Sequence, residues 1–148
     1  MNQKTVILAC SSLKDYVEAA QRAVGTAFPV IYLNRVYHRD PQEMREHVLE
    51  ELGRLPEDVG TVLVSMGFCG GSWEDVEVPC RVVLPRIDDC RRPDYCAVVQ
   101  ADADWLGASL GYVPGGTYLL EKLFSGRWDG QFLVLEKGTR TNREQILI

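Results

Sequence analysis

The sequence LVSMGFCGG, residues 63–71, gives the clearest indication of the fold. It belongs to an apolar run, 61–68, without regular polar alternation, which is typical of a strand buried on both faces of a sheet. The run leads directly to Cys69, a thiol in a glycine-rich turn. A buried strand that ends on a thiol indicates a parallel sheet and points to chemistry at the carboxyl end of that strand.

Similar apolar runs recur along the chain and alternate with helical patterns. The runs lie at 5–10, 28–34, 61–68, 81–84 and 131–136, and further helices are predicted at 102–110 and 117–124. Unalternating strands separated by amphipathic helices are typical of parallel sheets covered on both faces. We therefore predict a single α/β domain over residues 1–148, a three-layer sandwich with a mainly parallel sheet of Rossmann or flavodoxin type. Residues 139–148 form a polar, weakly specified tail.

Capping residues mark the expected helix ends. Ser11 or Ser12 can cap the first helix, and Gly25 is suited to end it. Asp40 precedes a proline and is followed three residues later by Glu43, which is a strong helix-start pattern. These signals predict one helix after each of the first two strands.

Composition narrows the functional classes. The 148 residues are 46% hydrophobic and 25% charged, an ordinary globular mix, and the net charge of -5 argues against a broad nucleic-acid surface. No apolar run approaches the roughly 18–20 residues of a membrane span, and the N-terminus does not resemble a signal peptide. We expect a cytoplasmic protein whose five cysteines are reduced, with no nucleic-acid or membrane partner. The sequence is compatible with a homo-oligomer.

Four consecutive predicted strands each end near a soft or titratable side chain. These are Cys10 after the first, His38 after the second, Cys69 after the third and Cys90 after the fourth. The carboxyl ends of parallel strands meet at one edge of the sheet, where ligands bind. We therefore expect the four side chains to converge.

Further residues around these four complete the predicted site. The four residues before Cys90 include Arg86, Asp88 and Asp89. These side chains could hydrogen-bond to a metal ligand from outside the coordination sphere, as outer partners, or bind a substrate. Gly67, Gly70 and Gly71 would let the backbone approach a ligand closely.

This set of side chains favours a metal. Three thiolates and an imidazole match a closed tetrahedral zinc site, whereas three thiolates with an open position suit a catalytic metal or an iron–sulfur cluster. We predict a metal site with Cys10, His38, Cys69 and Cys90 as ligands, in which Asp88 could replace one of them. The sequence does not distinguish zinc, cobalt and iron, and it assigns no catalytic residue.

Two other functions use the same edge. In a metal-free thiol enzyme, Cys10 or Cys69 would be an activated nucleophile and His38 or Asp89 the base. In a non-catalytic module, the edge would hold a corrinoid or a partner protein. The chain has no Cys-x-x-Cys motif and no Gly-x-Gly-x-x-Gly motif, which disfavours a thioredoxin-like site and a dinucleotide site.

Each of these residues also has an ordinary structural interpretation. Cysteine is often a small buried apolar residue, and Asp88 and Asp89 suit a helix cap. Cys80 and Cys96 fit packing better than ligation. Trp73, which follows the glycines, could cover a ligand or anchor its loop.

Five segments resemble, in the same order, an uncharacterised family. They are ILACSSL at 7–13, VYHRDPQEM at 36–44, GFCGGS at 67–72, LPRIDDC at 84–90 and LFSGRWDGQFLVLEKG at 123–138. Together they resemble the family catalogued as domain of unknown function 1638, over nearly the whole chain. The most specific segments are the Gly-x-Cys-Gly turn and the Pro-Arg-x-x-Asp-Cys segment.

The resemblance implies a site but no reaction. The family's characteristic positions correspond to Cys10, His38, Gly67, Cys69, Gly70, Pro85, Arg86, Asp89 and Cys90. Members usually carry a further glycine at Ser72 and a histidine at Asp88, so a role of that histidine passes here to a carboxylate or is lost. The resemblance also implies a link to corrinoid-dependent methyl transfer, with a corrinoid as cofactor and a small molecule or a corrinoid protein as partner.

Overall fold

Five strands form one mainly parallel sheet in a computed structural model, which describes residues 3–67, 71–86, 118–142 and 145. The strands are β1 (Lys4–Cys10), β2 (Val30–Leu33), β3 (Val59–Ser65), β4 (Arg81–Pro85) and β5 (Phe132–Leu135). Their order is β2-β1-β3-β4-β5, with β5 antiparallel to β4 and the other pairs parallel. The α/β class predicted from the unalternating apolar runs is therefore confirmed.

The two central strands supply the middle of the core. Five consecutive residues at the end of β1 and four at the end of β3 are buried. Burial on both faces explains why neither strand alternates between apolar and polar residues. The apolar runs thus reflect the strands' central position in the sheet.

Three described helices and two 3₁₀ helices connect or cover the strands. They are α1 (Lys14–Val24), α2 (Pro41–Gly53) and α3 (Tyr118–Phe124), with 3₁₀ helices at Ser11–Leu13 and Arg35–Arg39. Of the two later helices expected from the sequence, α3 corresponds to 117–124, and 102–110 lies outside the described residues. None of the described helices has the length and apolar content needed to cross a membrane.

The helix-end signals are confirmed at two of three places. Gly25 ends α1 with φ of 75°, a left-handed conformation that favours glycine. The Asp40 carboxylate caps α2 by accepting a hydrogen bond from the backbone N–H of Gln42 at 3.0 Å. The serine cap is wrong, because a 3₁₀ turn follows β1 and no side chain caps either helix start there. Ser11 instead accepts a hydrogen bond from the backbone N–H of Arg35 at 2.9 Å.

The described helices lie on both faces of the sheet. Leu52 of α2 lines the same small pocket as Leu8 of β1 and Ile31 of β2, so α2 covers the face of the sheet on which these two residues lie. Tyr32, the next residue of β2, points to the opposite face. There, burial and the nearby charge of Glu18 on α1 raise the pKa of the Tyr32 hydroxyl. The helix α3 packs against α1 on that second face.

Candidate functional site

The four strands that precede the predicted ligands are neighbours in the sheet. They occupy consecutive positions in the order β2-β1-β3-β4 and are mutually parallel. Their carboxyl ends therefore form one continuous edge. Cys10 is the last residue of β1 and so lies at this edge.

The strand registers align Cys10 and Arg86 at this edge. Continued to the strand ends, the pairings of β1 with β3 and of β3 with β4 place Cys10, Met66 and Arg86 in one row. Alternate strand residues share a face, so Cys10 lies on the face of Leu8, which α2 covers. Neighbouring strands are about 4.8 Å apart, so the Cα atoms of Cys10 and Arg86 are separated by about 10 Å.

Cys10 is buried, with 1% of its surface exposed. Its Sγ lies 3.0 Å from the Oγ of Ser12 in the following 3₁₀ turn. A thiolate has no proton to give, so Ser12 would have to donate the hydrogen bond to an ionised sulfur. The regular helix α1 begins only at Lys14, four residues after Cys10, and a helix dipole acts mainly within the first turn, so it contributes little at this sulfur.

Arg86 brings a positive charge to the same edge. Its backbone N–H donates to the carbonyl of Gln131 at 2.9 Å, and its Nη1 donates to the carbonyl of Gln145. Its Nε is buried and has no acceptor among the described residues. Arginine nitrogens are donors only, so this group is suited to an acceptor or an anion.

The loop between β3 and β4 is fixed against α2 from Gly71 onward. Ser72 Oγ donates to the carbonyl of Pro41 at 3.4 Å. Arg45 of α2 donates to the carbonyls of Glu74 and Asp75 at 2.7 and 3.0 Å. A β-carbon at Gly71 would lie 3.9 Å from Cβ of Pro41, an ordinary contact. The described atoms therefore give no steric reason for glycine there.

Trp73 anchors this loop within the core. Its side chain is 0% exposed and belongs to the main apolar cluster. Its carbonyl accepts a hydrogen bond from the hydroxyl of Thr141, and its Nε1 has no acceptor among the described residues. Of the two roles considered for Trp73, the structure supports the loop anchor.

Several predicted site residues cannot be placed. Cys69, Gly70, Asp88, Asp89 and Cys90 lie outside the described residues, as does the side chain of His38, whose backbone belongs to the 3₁₀ helix Arg35–Arg39. Gly67 is buried just after β3. Within the described ranges, no three His, Cys, Asp or Glu side chains come together in a group that could hold a metal ion. The metal ligand set therefore stays a prediction.

The sequence did not predict the burial of Lys122, which is linked to Arg86 through Gln131. Lys122 of α3 is only 9% exposed, and its Nζ donates to Asp129 and, at 2.6 Å, to the side chain of Gln131. The carbonyl of Gln131 in turn holds the backbone N–H of Arg86. A lysine in the last turn of a short helix is typical of an exposed position, so the sequence carried no signal for this cluster.

The Lys122 contact predicts a pH dependence of stability. The hydrogen bond from Lys122 lowers the pKa of Asp129 below its ordinary value of 3.8, and the N–H of Gln131 adds to this. A carboxyl with a lower pKa in the folded state stabilises the fold above its unfolded pKa. This stabilisation is lost as the pH falls through the folded value. We expect Lys122→Met to flatten the fall in unfolding free energy below about pH 4, relative to the wild type.

Urea unfolding followed at a series of pH values measures this effect. Lys137→Met is the matched control, because Lys137 does not contribute to the shift at Asp129. Equal acid dependence in the wild type and Lys122→Met would show that the Lys122 contact does not set it.

Cys80 lies at the other end of the sheet. It lines a cavity of about 280 Å³ with Glu57, Arg81 and Lys137, next to the start of β4. Burial raises the pKa of the Cys80 thiol, and the charge of Lys137 opposes this. Cys80 thus does not share an edge with Cys10, in agreement with its exclusion from the predicted ligands.

Comparison with known proteins finds one family model that matches part of the chain. Residues 32–92 match the family model described as Protein of unknown function (DUF1638). The resemblance predicted from the sequence segments is confirmed over these residues, which span β2 to the region after β4. No curated protein and no solved structure matches the chain.

Proposed function

We propose that the protein, whose residues 32–92 match the DUF1638 family model, is a metal-binding α/β protein of the cytoplasm. Its thiolate-rich site lies at the carboxyl ends of β1 to β4. Cys10, Cys69 and Cys90 are the proposed thiolate ligands, and His38 or Asp88 is the fourth ligand or an outer partner. The observation that carries the proposal is the strand order, which makes the four contributing strands neighbours.

Chain length supports convergence of the three cysteines. In the sequence, Cys69 comes two residues after Gly67, and Cys90 comes four residues after Arg86. Each extended residue spans up to about 3.3–3.6 Å, whereas the ends of β1 and β4 are about 10 Å apart. Both segments are therefore long enough to reach a point above Cys10.

The strand order also favours a ligand between β1 and β3. The order 2-1-3-4-5 is that of flavodoxin-like sheets, although β5 runs antiparallel here. In such sheets, ligands bind where successive connections leave in opposite directions, which here is between β1 and β3. Cys10 ends one of these strands, and Cys69 follows the other. We therefore propose a Rossmann- or flavodoxin-type location for the site.

The described residues suit a negatively charged metal centre. Three thiolates around a divalent ion leave a net charge of about -1. Ser12 lies within hydrogen-bond distance of the Cys10 sulfur, and Arg86 supplies a cation in the same row of the sheet. Outer partners of this kind orient ligands and tune a metal site.

A metal at this edge would supply Lewis-acid chemistry or handle thiols and methyl groups. Ser12 would hold the Cys10 sulfur in place. Arg86, with its Nε lacking a described acceptor, would balance the thiolate charge or bind an anionic substrate. A role in metal- or corrinoid-linked methyl transfer follows from the family resemblance alone.

Elemental analysis of anaerobically purified protein tests the proposal. We expect about one equivalent of zinc, cobalt or iron per chain, which a strong chelator removes with exposure of new reactive thiols. Protein that is free of metal, and that takes up none of the three ions, would reject the proposal. A single fast-reacting thiol in such protein would favour the thiol enzyme, and corrinoid absorption would favour the binding module.

A further inference from the structure

The C-terminal part of the chain joins the loop between β3 and β4 as an added strand-like segment. Residues 138–142 run antiparallel to 75–78, with a bridge between Glu77 and Arg140. Four backbone hydrogen bonds connect them: Gly138 N to Val78 O (2.9 Å), Val78 N to Thr139 O (3.0 Å), Thr141 N to Val76 O (3.0 Å) and Asp75 N to Thr141 O (2.9 Å). The loop is thus held on one side by α2 and on the other by this segment.

Thr141 makes the central contact of this segment. It is 1% exposed, and its hydroxyl accepts a hydrogen bond from the N–H of Val76 at 2.9 Å and donates one to the carbonyl of Trp73. One buried hydroxyl therefore fixes two points of the loop. In the sequence, this fixed part begins shortly after Cys69.

The same segment also reaches Arg86. Asn142 and Gln145 close a turn, in which the side chain of each accepts a hydrogen bond from the backbone N–H of the other at 2.9–3.2 Å. The carbonyl of Gln145 accepts the hydrogen bond from Nη1 of Arg86. The loop between β3 and β4 and the side chain of Arg86 therefore both hydrogen-bond to the same C-terminal segment.

We infer that residues 138–142 and 145, the C-terminal strap, belong to the functional site as its positioning element. The strap couples the loop that follows Cys69 to Arg86, which precedes Cys90. Thr141 is the positioning residue for the loop, and the Gln145 carbonyl orients the guanidinium. This inference deepens the proposed metal site and rests on it for its effect on metal binding.

Thr141→Val tests the strap, because it keeps the side-chain volume and removes the hydroxyl. Thr141→Ser restores the hydroxyl. Thr26→Val is the matched control, since the Thr26 hydroxyl donates to the side chain of Gln21 at the end of α1, outside the strap. Alkylation of Cys69 and of Cys10 in native, metal-free protein is followed by mass spectrometry, and zinc affinity is measured by chelator competition.

We expect Thr141→Val to speed alkylation of Cys69 about 10-fold while Cys10 changes little, since a local anchor governs local opening. Zinc affinity should fall about 10-fold, as for the loss of other outer partners. Thr141→Ser and Thr26→Val should resemble the wild type. An unchanged Cys69 rate, or equal acceleration of both cysteines, would overturn the inference.

Two further results distinguish a failure of the strap inference from a failure of the proposed metal site. If the wild type binds no zinc, the proposed function fails, and the two alkylation rates still decide whether the strap holds the loop. If Thr141→Val does not fold, Asn142→Ala at an exposed position opens the turn that presents Gln145 to Arg86. Wild-type zinc affinity in Asn142→Ala would then overturn the inference.

Discussion

Cys10→Ser is expected to abolish tight metal binding by the protein. Loss of an outer partner lowers metal affinity by about 10- to 100-fold, and loss of a thiolate ligand should cost at least about 100-fold. Serine nearly preserves the size of the buried side chain, so the sheet should remain intact. Zinc affinity measured by chelator competition, with urea unfolding beside it, separates ligand loss from unfolding.

Cys80→Ser is the matched control for this substitution. Cys80 lies at the opposite end of the sheet, against the start of β4, and is only half-buried. Its replacement should leave zinc affinity within about 2-fold of the wild type, because substitutions far from a site usually act independently of it. Wild-type affinity in Cys10→Ser would remove Cys10 from the ligand set.

Trp73→Ala is expected to have the largest effect on stability. Trp73 is fully buried and holds the loop between β3 and β4 in the core. Removing a buried tryptophan side chain costs about 3–5 kcal/mol of unfolding free energy, from lost apolar burial and the cavity left behind. Urea unfolding of the purified variant measures this cost.

Two further variants show whether the loss of stability in Trp73→Ala reflects the loop anchor or the loss of any tryptophan. Trp73→Phe keeps most of the apolar contact and removes an Nε1 that has no described acceptor. It should therefore cost less than half as much as the alanine variant. Trp128 is partly buried and donates to the carbonyl of Leu123 at 2.8 Å. Equal costs for Trp73→Ala and Trp128→Ala would contradict the anchor role.

The strands and the α2 cap were predictable because their signals are local. A central strand is buried on both faces, so β1 and β3 stand out as unbroken apolar runs. Asp40 caps α2 through a hydrogen bond two residues away. Such patterns depend on neighbouring residues, and the sequence contains them in full.

The serine cap failed because a distant contact competes with it. The hydroxyl of Ser11 is engaged by the N–H of Arg35, 24 residues later in the chain, and the sulfur of Cys10 engages Ser12. Neither contact is visible from the local pattern. The chain enters a 3₁₀ turn there, and α1 begins later than the serines suggested.

Burial of polar residues was equally hidden. Lys122 and Thr141 are typical surface residues by type, yet both are buried with hydrogen-bond partners. The partners of Lys122 come from the segment just before β5, and those of Thr141 come from the loop before β4, so only the tertiary packing reveals them. The polar composition of 139–148 likewise gave no sign that Thr141 would fix a loop 65 residues away.

Strand order was the part of the site that the sequence could not supply. Residues that end successive strands need not be neighbours, because pairing between strands is set by long-range packing. The order β2-β1-β3-β4 brings together the strands that precede His38, Cys10, Cys69 and Cys90. Because these strands are neighbours, the four residues can be tested as members of one site.

Anomalous diffraction from crystals grown with zinc tests the metal site most directly. We predict one zinc peak at the carboxyl edge of the sheet, bonded at about 2.3 Å to the Sγ atoms of Cys10, Cys69 and Cys90. Sulfur atoms more than about 10 Å apart, or directed to opposite faces of the sheet, could not share an ion, and that result would contradict the proposed function.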